Sequence, residues 1–457
     1  MSFQNIKNVY LVGVGGIGMS ALARYFNAKD FRVAGYDKVE STLTRNLVSE
    51  GISVNYEEDV ACIANEYRDN VNTLVVYTPA IPVNNKQLNY FRDNNFMLVK
   101  RSQVLGMIAK EYRLIGVAGT HGKTTVSTMA AYLMKNSHLD CCAFLGGVSK
   151  NFNSNLVLEE NSEWAVMEAD EFDRSFLQLF PEIAVLTAMD ADHLDIYGTE
   201  EELKRTFLKY VSQIKEGGKL VYKLGLDIEA SNIDMFSYSI EDKSADFYLE
   251  NIKIIDSSFE YDLVTPNSVI TSLRLNYPGR VNLENSVAAS AVAFLCGVTD
   301  SELRKALVSF QGVLRRFDLR YKSKDFMYID DYAHHPDELR AVITSVRELY
   351  PNKKIAAVFQ PHLYTRTRDF AKGFMESLNL LDELILLDIY PAREKPIVGV
   401  NSQMLLDGIS IPAFISTKED LIDNIESINC DILLTLGAGD IDRFVNRISN
   451  MLERNAN

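Results

Sequence analysis

Apolar residues along this chain fall into short runs, each followed by glycine or a polar cluster and then by apolar positions at helical spacing. The stretch "VYLVGVGGIGMSAL" (9–22) is the first: an unbroken apolar run, a glycine loop and a helix start. A second apolar run, "FRVAGYD" (31–37), ends on Asp37. The same plan returns at "RLIGVAGTHGKTTVSTMAAYLMK" (113–135), preceded by the helix-like "QVLGMIAKEY" (103–112). Runs that are apolar throughout, rather than alternating, predict strands covered on both faces, as in parallel sheets flanked by helices. In the middle of the chain "WAVMEAD", "EIAVLTAMD" and "KLVYKLG" read as further strands, separated by helical patterns such as "TEEELKRTFLKYVSQI". Over 228–275 the pattern shifts to short alternating runs, including "ADFYLENIKIID" and "VITSLRLNY", which predict a small antiparallel patch. After Phe317 a third strand–helix alternation begins, with strands at "FMYIDD", "KKIAAVFQ", "ELILLDIY" and "DILLTLGAGD".

The expected architecture is therefore α/β in three domains: a Rossmann-like domain over 1–107, a central P-loop-type ATPase domain over 108–316, and a second Rossmann-like domain over 317–457. In each, the polar residues with useful chemistry lie just past a strand's C-terminal end, where open parallel sheets bind ligands.

The length of 457 residues suits two to four domains, and 47% hydrophobic with 24% charged residues is ordinary for a soluble globular chain. No apolar stretch approaches the ~20 residues of a bilayer span, and no signal-peptide pattern opens the chain, so a cytoplasmic protein without membrane insertion is expected. The five cysteines are scattered, in no CxxC spacing, and read as reduced, packed thiols. A net charge of −15 argues against nucleic acid as a partner but leaves room for an anionic substrate held by local glycine loops and arginines.

Gly13, Gly15 and Gly18 fit G-x-G-x-x-G, with Asp37 at the end of the next strand: a dinucleotide fingerprint that raises a nicotinamide-dependent dehydrogenase as one reading. The second loop is the more specific signal. In "GTHGKTT" the amides of Gly119, Thr120, His121 and Gly122 can wrap a phosphate, Lys123 can reach the β/γ oxygens, and Thr124, followed by Thr125, can bind Mg²⁺. Its spacing is shorter than a standard Walker A. Candidate metal ligands follow at strand ends: Glu168, with Asp170, Glu171 and Asp173 close behind, and His193 among Asp190, Asp192 and Asp195. Of the six histidines, His121, His193, His334, His335 and His362 all fall in loops after strands; only His138 does not. A third set comprises Arg315, Arg316, Asp331, Tyr332, His334, His335, His362, Arg366 and Arg368, with Pro336 at a helix N1 position. Guanidinium groups suit carboxylate or phosphate and neutralise a moving phosphoryl group. Asn282 and Asn285 open a small-residue helix and could offer an adenine edge its paired donor and acceptor. Trp164, the single tryptophan, is expected in the core.

Taken in order, "GVGGIGMS", "GTHGKTT", "EADE", "DADHLDIYG", "GRVNLENSVAA", "LRRF", "DDYAHHP", "FQPHLYTRTRDF", "YPAREKPI" and "GAGD" resemble the Mur ligases over nearly the whole chain. The resemblance implies three domains binding, in order, a UDP-sugar, ATP and an amino acid. The implied activity, in peptidoglycan precursor synthesis, joins L-alanine to the lactyl carboxylate of UDP-N-acetylmuramate through an acyl phosphate. ATP and Mg²⁺ or Mn²⁺ would be cofactors. Gly13, Gly15, Gly16, Gly18, Met19, Asp37 and Arg101 would then serve the UDP-sugar, with no nicotinamide. Lys123 and Thr124 would hold phosphates and metal, with Glu168 and His193 as further metal ligands. Asn282 and Asn285 would sit near adenine, and Arg316 and Asp331 would contact ATP. Tyr332, His334, His362 and Arg366 would face the amino acid or the reacting centre. Lys123, His193, Arg316 and His334 are the residues expected at the chemistry itself.

Three positions depart from the family pattern: Val281 replaces the His of G-x-H-N, Leu363 an Arg after "QPH", and Arg393 the Gly of Y-x-A-G-E. They bear on adenine and amino-acid details, leaving Arg366 as the carboxylate anchor. A related Mur ligase that attaches a murein peptide to the same sugar is the alternative within the family, though "FQPHLYTRTRDF" and "GVGGIGMS" look more like the alanine-adding members. A non-catalytic nucleotide switch is a third class. A monomer or weak homodimer is expected.

Overall fold

The computed structural model describes residues 5–190, 194–255, 258–392 and 394–455. Strands β1 (Asn8–Val12), β2 (Arg32–Tyr36), β3 (Ser53–Asn55), β4 (Thr73–Tyr77) and β5 (Met97–Lys100) form a sheet in the order β3-β2-β1-β4-β5, parallel throughout. Every residue of β1 is buried, which is why its sequence reads apolar on both faces. The strand order reverses at β1, so the loop after it opens into the sheet's binding crevice.

The second sheet contains β6 (Arg113–Ala118), β7 (Cys142–Ser149), β8 (Ser154–Val157), β9 (Trp164–Glu168), β10 (Ile183–Leu186), β11 (Lys219–Lys223) and β12 (Asp234–Tyr238), ordered β12-β11-β10-β6-β9-β7-β8. Its pairings are parallel except β7 with β8. β6 sits between two strands that follow it in the chain, β10 and β9, and its C-terminal end carries the GKTT loop. β12 falls inside the segment expected to be a separate antiparallel patch, but pairs parallel with β11. β12 is the edge strand of this sheet, and its burial rises along its length, from exposed Asp234 to buried Ser237 and Tyr238. The later runs do form a sheet of their own, β13 (Tyr248–Ile255), β14 (Ser258–Val264) and β15 (Val269–Leu275).

The last sheet holds β16 (Asp318–Lys322), β17 (Met327–Asp331), β18 (Ile355–Phe359), β19 (Glu383–Leu386), β20 (Ala413–Ile415) and β21 (Ile432–Leu436), ordered β16-β17-β21-β18-β19-β20. Only β16 runs antiparallel to its neighbour. The ends of β17, β21 and β18, three adjacent strands, thus deliver the residues after Asp331, Leu436 and Phe359 to one edge.

Two compact units are distinguished: Met1–Ile252 with Glu260–Arg274 and Glu284–Gln311, and Lys253–Phe259 with Leu275–Leu283 and Gly312–Asn457. Within the first, the two parallel sheets share one apolar core running from Val9 to Leu220. Tyr25, on the helix Ile17–Ala28, packs on Phe144 of β7 at 5.6 Å, and the buried Asn155 of β8 donates to Ile17 O at 2.6 Å. Trp164 is in the core, with the Arg113 guanidinium 4.1 Å from its ring centre. All five cysteines are free thiols. Among the described residues no helix is long and apolar enough to cross a membrane.

Candidate active site

The first glycine loop is built for close approach. Gly13 has φ +90°, and the amides of Gly13 and Val14 donate to Tyr36 O. A Cβ on Gly15 would run into Asp37, and one on Gly18 into Arg101. Asp37 binds the loop itself, accepting from Gly15 N at 2.8 Å and from Val39 N at 3.2 Å. The helix Ile17–Ala28 begins at Gly16 with no side-chain cap, so its first amides face the loop as an anion site would require. Met19 is buried in the core and supports the loop from beneath.

The second loop follows the same logic. Gly119 and Gly122 take φ of +131° and +83°, and a Cβ on Gly119 would run into Thr187 Oγ1. Thr187, just past β10, has no expected role from its sequence position; its hydroxyl donates to His121 O, and its amide donates to Ala118 O at 3.1 Å. Thr120 N donates to Ala188 O at 3.2 Å, and Asp190 N to Thr120 Oγ1 at 3.1 Å. The strand-end sequence "LTAMD" carries a signal for this closure: a hydroxyl immediately after a buried strand. The helix Lys123–Lys135 starts at Gly122 without a side-chain cap, and Thr124 and Thr125 are buried in its first turn. Asn285 Oδ1 would lie 2.8 Å from a Cβ on Gly122, which places this asparagine against the loop.

Lys123 Nζ donates to Gly119 O at 2.7 Å, to Thr120 O at 3.4 Å and to Glu171 Oε1 at 2.9 Å. Burial alone would lower the lysine's pKa, but Glu171, Glu168 and Asp170 outweigh it and hold the ammonium charged, above its usual range. Glu168 projects past β9 over Gly146, where a Cβ would overlap both carboxylate oxygens. Asp170 and Asp173 pair with Arg101 and Lys100 at 3.4 and 3.3 Å. Asp173 and Arg174 both have positive φ, 54° and 55°, a conformation costing on the order of 1–3 kcal/mol per residue. Arg101 therefore stands between Gly18 and the acidic loop, in contact range of both. His193, expected at the metal, and its neighbour Asp192 lie outside the described residues.

In the second unit, Asn282 Nδ2 donates to Pro278 O at 2.7 Å, which spends one amide hydrogen locally. Arg315 is committed to structure: Nε pairs with Asp330 at 3.1 Å and Nη2 donates to Gly437 O at 2.6 Å. Arg316 and Arg315 place their guanidinium carbons 5.1 and 5.2 Å from the Tyr332 ring centre. Asp331 accepts from Ala333 N at 2.8 Å and from Phe317 N; burial raises its pKa to about 6, against the pull of Arg316. Tyr332, His334, His362 and Tyr390 form a ring chain with centre distances of 5.1, 6.0 and 5.7 Å. His334 Nδ1 contacts Tyr332 O at 2.9 Å. Burial pushes its pKa down to about 4; Glu338 opposes this, and the charges of Arg366 and Arg316 add to it. The imidazole is thus neutral near pH 7. His335 is a helix cap for Pro336–Leu349 and packs on Phe370 at 4.7 Å. Pro336 occupies the first turn as expected.

Leu363 adopts φ 70°, ψ 135° at the start of the helix Tyr364–Asp369, which carries Arg366. Glu394 holds that helix start, accepting from Thr365 N at 3.0 Å and from its hydroxyl. Neither Tyr390 nor Glu394 stands out as a site residue in the sequence, although both fall in the quoted "YPAREKPI". Arg393 lies outside the described residues. Within the first unit, two uncapped helix N-termini with glycine loops, a charged lysine and a carboxylate cluster suit the binding of phosphate groups and a cation.

Three family models cover most of the chain: "Mur ligase family, catalytic domain" over residues 8–113, "Mur ligase middle domain" over 117–293, and "Mur ligase, glutamate ligase domain" over 315–439. The UDP-N-acetylmuramate–L-alanine ligase of Phocaeicola vulgatus is 49% identical over 459 aligned positions, covering 99% of this chain and 100% of that protein. The protein of the same name from Parabacteroides distasonis is 50% identical, over 99% of this chain and 98% of its own length. Among solved structures, the UDP-N-acetylmuramate–alanine ligase of Thermotoga maritima superposes with a TM-score of 0.84 at 25% identity, covering 98% of this chain and 99% of that one.

Proposed function

The chain belongs to the Mur ligase family, and from that premise we infer that it is an ATP-dependent ligase joining L-alanine to the lactyl carboxylate of UDP-N-acetylmuramate. The observation that carries this reading is full-length identity of about one half to proteins of that name. The nicotinamide reading of the first glycine loop is not favoured, and neither is the peptide-attaching relative.

A carboxylate is a poor acyl donor, so the lactyl carboxylate oxygen attacks the γ-phosphorus and ADP leaves. The alanine amine then attacks the acyl phosphate carbon, and the tetrahedral intermediate expels inorganic phosphate to leave an amide. The protein's part is positioning and charge neutralisation. In this reading domains 1–107, 108–316 and 317–457 serve sugar nucleotide, ATP and amino acid. Gly13 to Gly18 and Arg101 receive the UDP pyrophosphate, and Lys123 with the 119–122 amides receives the ATP phosphates. Arg366 binds the alanine carboxylate, and neutral His334 stands beside the amine with His362 and Tyr332. Arg316, Asp331, Asn282 and Asn285 complete ATP recognition.

Magnesium suits the oxygen donors among the described residues, Thr124 at the loop and Glu168 seated over Gly146, and the family pattern would add the His193 imidazole. When bound, the ion would neutralise charge on the nucleotide phosphates. A cytoplasmic location and a monomer or weak homodimer complete the proposal; light scattering on the purified chain checks the latter. The reaction is tested by mass spectrometry of the sugar nucleotide after incubation with ATP, Mg²⁺ and L-alanine. One alanyl residue added per molecule is expected; unchanged sugar nucleotide beside a purified, folded protein would refute the assignment.

A further inference from the structure

The acidic loop after β9 holds a carboxylate, Glu171, with no part in binding the substrates or the metal. Glu171 is buried, and its Oε1 accepts from Lys123 Nζ at 2.9 Å. The same ammonium donates to Gly119 O at 2.7 Å and Thr120 O at 3.4 Å, so the lysine is folded back over its own loop. A lysine in this pose must leave these partners to reach the β- and γ-phosphates of a nucleotide.

Glu171 is placed by its loop and not by Lys123 alone. Its carbonyl accepts from Tyr197 Oη at 2.6 Å and from Arg174 N at 2.9 Å. Asp173 and Arg174 turn the chain through two successive left-handed residues, which persist only where the surroundings hold them. The holding groups are Arg101 on Asp170 at 3.4 Å and Lys100 on Asp173 at 3.3 Å. The turn so fixed holds the Glu171 carboxylate against the Lys123 ammonium at the glycine loop.

We propose that Glu171 is a positioning residue for Lys123, holding the ammonium over the loop at rest and releasing it to the incoming nucleotide. A fixed carboxylate at that place competes with the phosphates for their cation and repels them as they arrive. The proposal rests on the reading of this loop as the ATP site.

Equilibrium titration of ATP into the wild-type chain, Glu171→Gln and Glu171→Asp, with and without Mg²⁺, tests it, alongside melting temperatures and the KM for ATP and kcat. Gln keeps the shape and an acceptor but removes the charge; Asp keeps the charge and withdraws it by one methylene. Both variants are expected to bind Mg²⁺-free ATP about 3- to 10-fold more tightly than wild type. KM for ATP falls with it, and kcat does not rise. Unchanged or weaker Mg²⁺-free binding, in a variant that melts like wild type, would overturn the proposal. Weakening confined to Mg²⁺ would also overturn it and make Glu171 a metal ligand. If Glu171→Gln does not fold, Glu171→Asp carries the comparison. A folded wild-type chain that binds no ATP would overturn the site reading and the proposal together.

Discussion

His334 shows what a single side chain contributes and what lay beyond reach of the sequence. Its place in "DDYAHHP" marks it as a candidate, but its charge state follows from burial and from Arg366 and Arg316 nearby. In the folded chain it stays neutral down to about pH 4, whereas its ordinary value is 6.5. Between those values only the unfolded chain binds the extra proton, so this group's contribution is complete above pH 6.5 and is lost as pH falls toward 4. At pH 5 the loss amounts to about 2 kcal/mol. Asp331, raised to about 6 by burial, works in the opposite direction, but it does so in wild type and variant alike. Thermal melts of wild type and His334→Gln at pH 7.5 and 5 isolate the difference: the variant is expected to lose less stability on acidification. Equal losses would show that His334 titrates normally. Other residues were readable outright. Lys123 and the glycines around it follow from local pattern, since a loop between a buried strand and a helix leaves few alternatives. The roles of Thr187 and Glu171 do not, because each acts on a loop distant in sequence.

At the scale of elements, the strands were the most legible part of the chain. β1, β18 and β21 are buried at every position, so their composition alone sets them apart. The glycine loops were legible for a different reason, since positive φ and close approach leave little choice of residue. Two glycines with positive φ differ in just this respect. Gly51 has φ +88° with nothing within 4 Å of where a Cβ would sit, whereas Gly119 has φ +131° and faces Thr187 and the Ala188 amide. Gly51→Ala is expected to cost about 1 kcal/mol of stability with ATP affinity unchanged. Gly119→Ala is expected to weaken ATP binding about tenfold or more, because the loop must open to admit the methyl group. Equal effects of the two on ATP binding would remove the loop from the site. The element that departs from expectation is β12, which lies in the 228–275 segment but pairs parallel at the edge of the second sheet, a partnership that five residues do not encode locally.

For the whole molecule, the order of strand–loop–helix units was readable, because each unit repeats the same local pattern. How sheets pack was not. The boundary expected at residue 107 separates two sheets that share one apolar core, and such sharing depends on side chains brought together only in three dimensions. The reaction likewise is a property of the assembled chain, and one measurement addresses it directly. Phosphate release from ATP and Mg²⁺ would be followed with UDP-N-acetylmuramate alone, with L-alanine added, and with a murein tripeptide in its place, beside Lys123→Ala, which is expected to release none. Sustained release is expected only when both the sugar nucleotide and L-alanine are present. Release that needs the tripeptide instead, or none with any acceptor, would contradict this expectation.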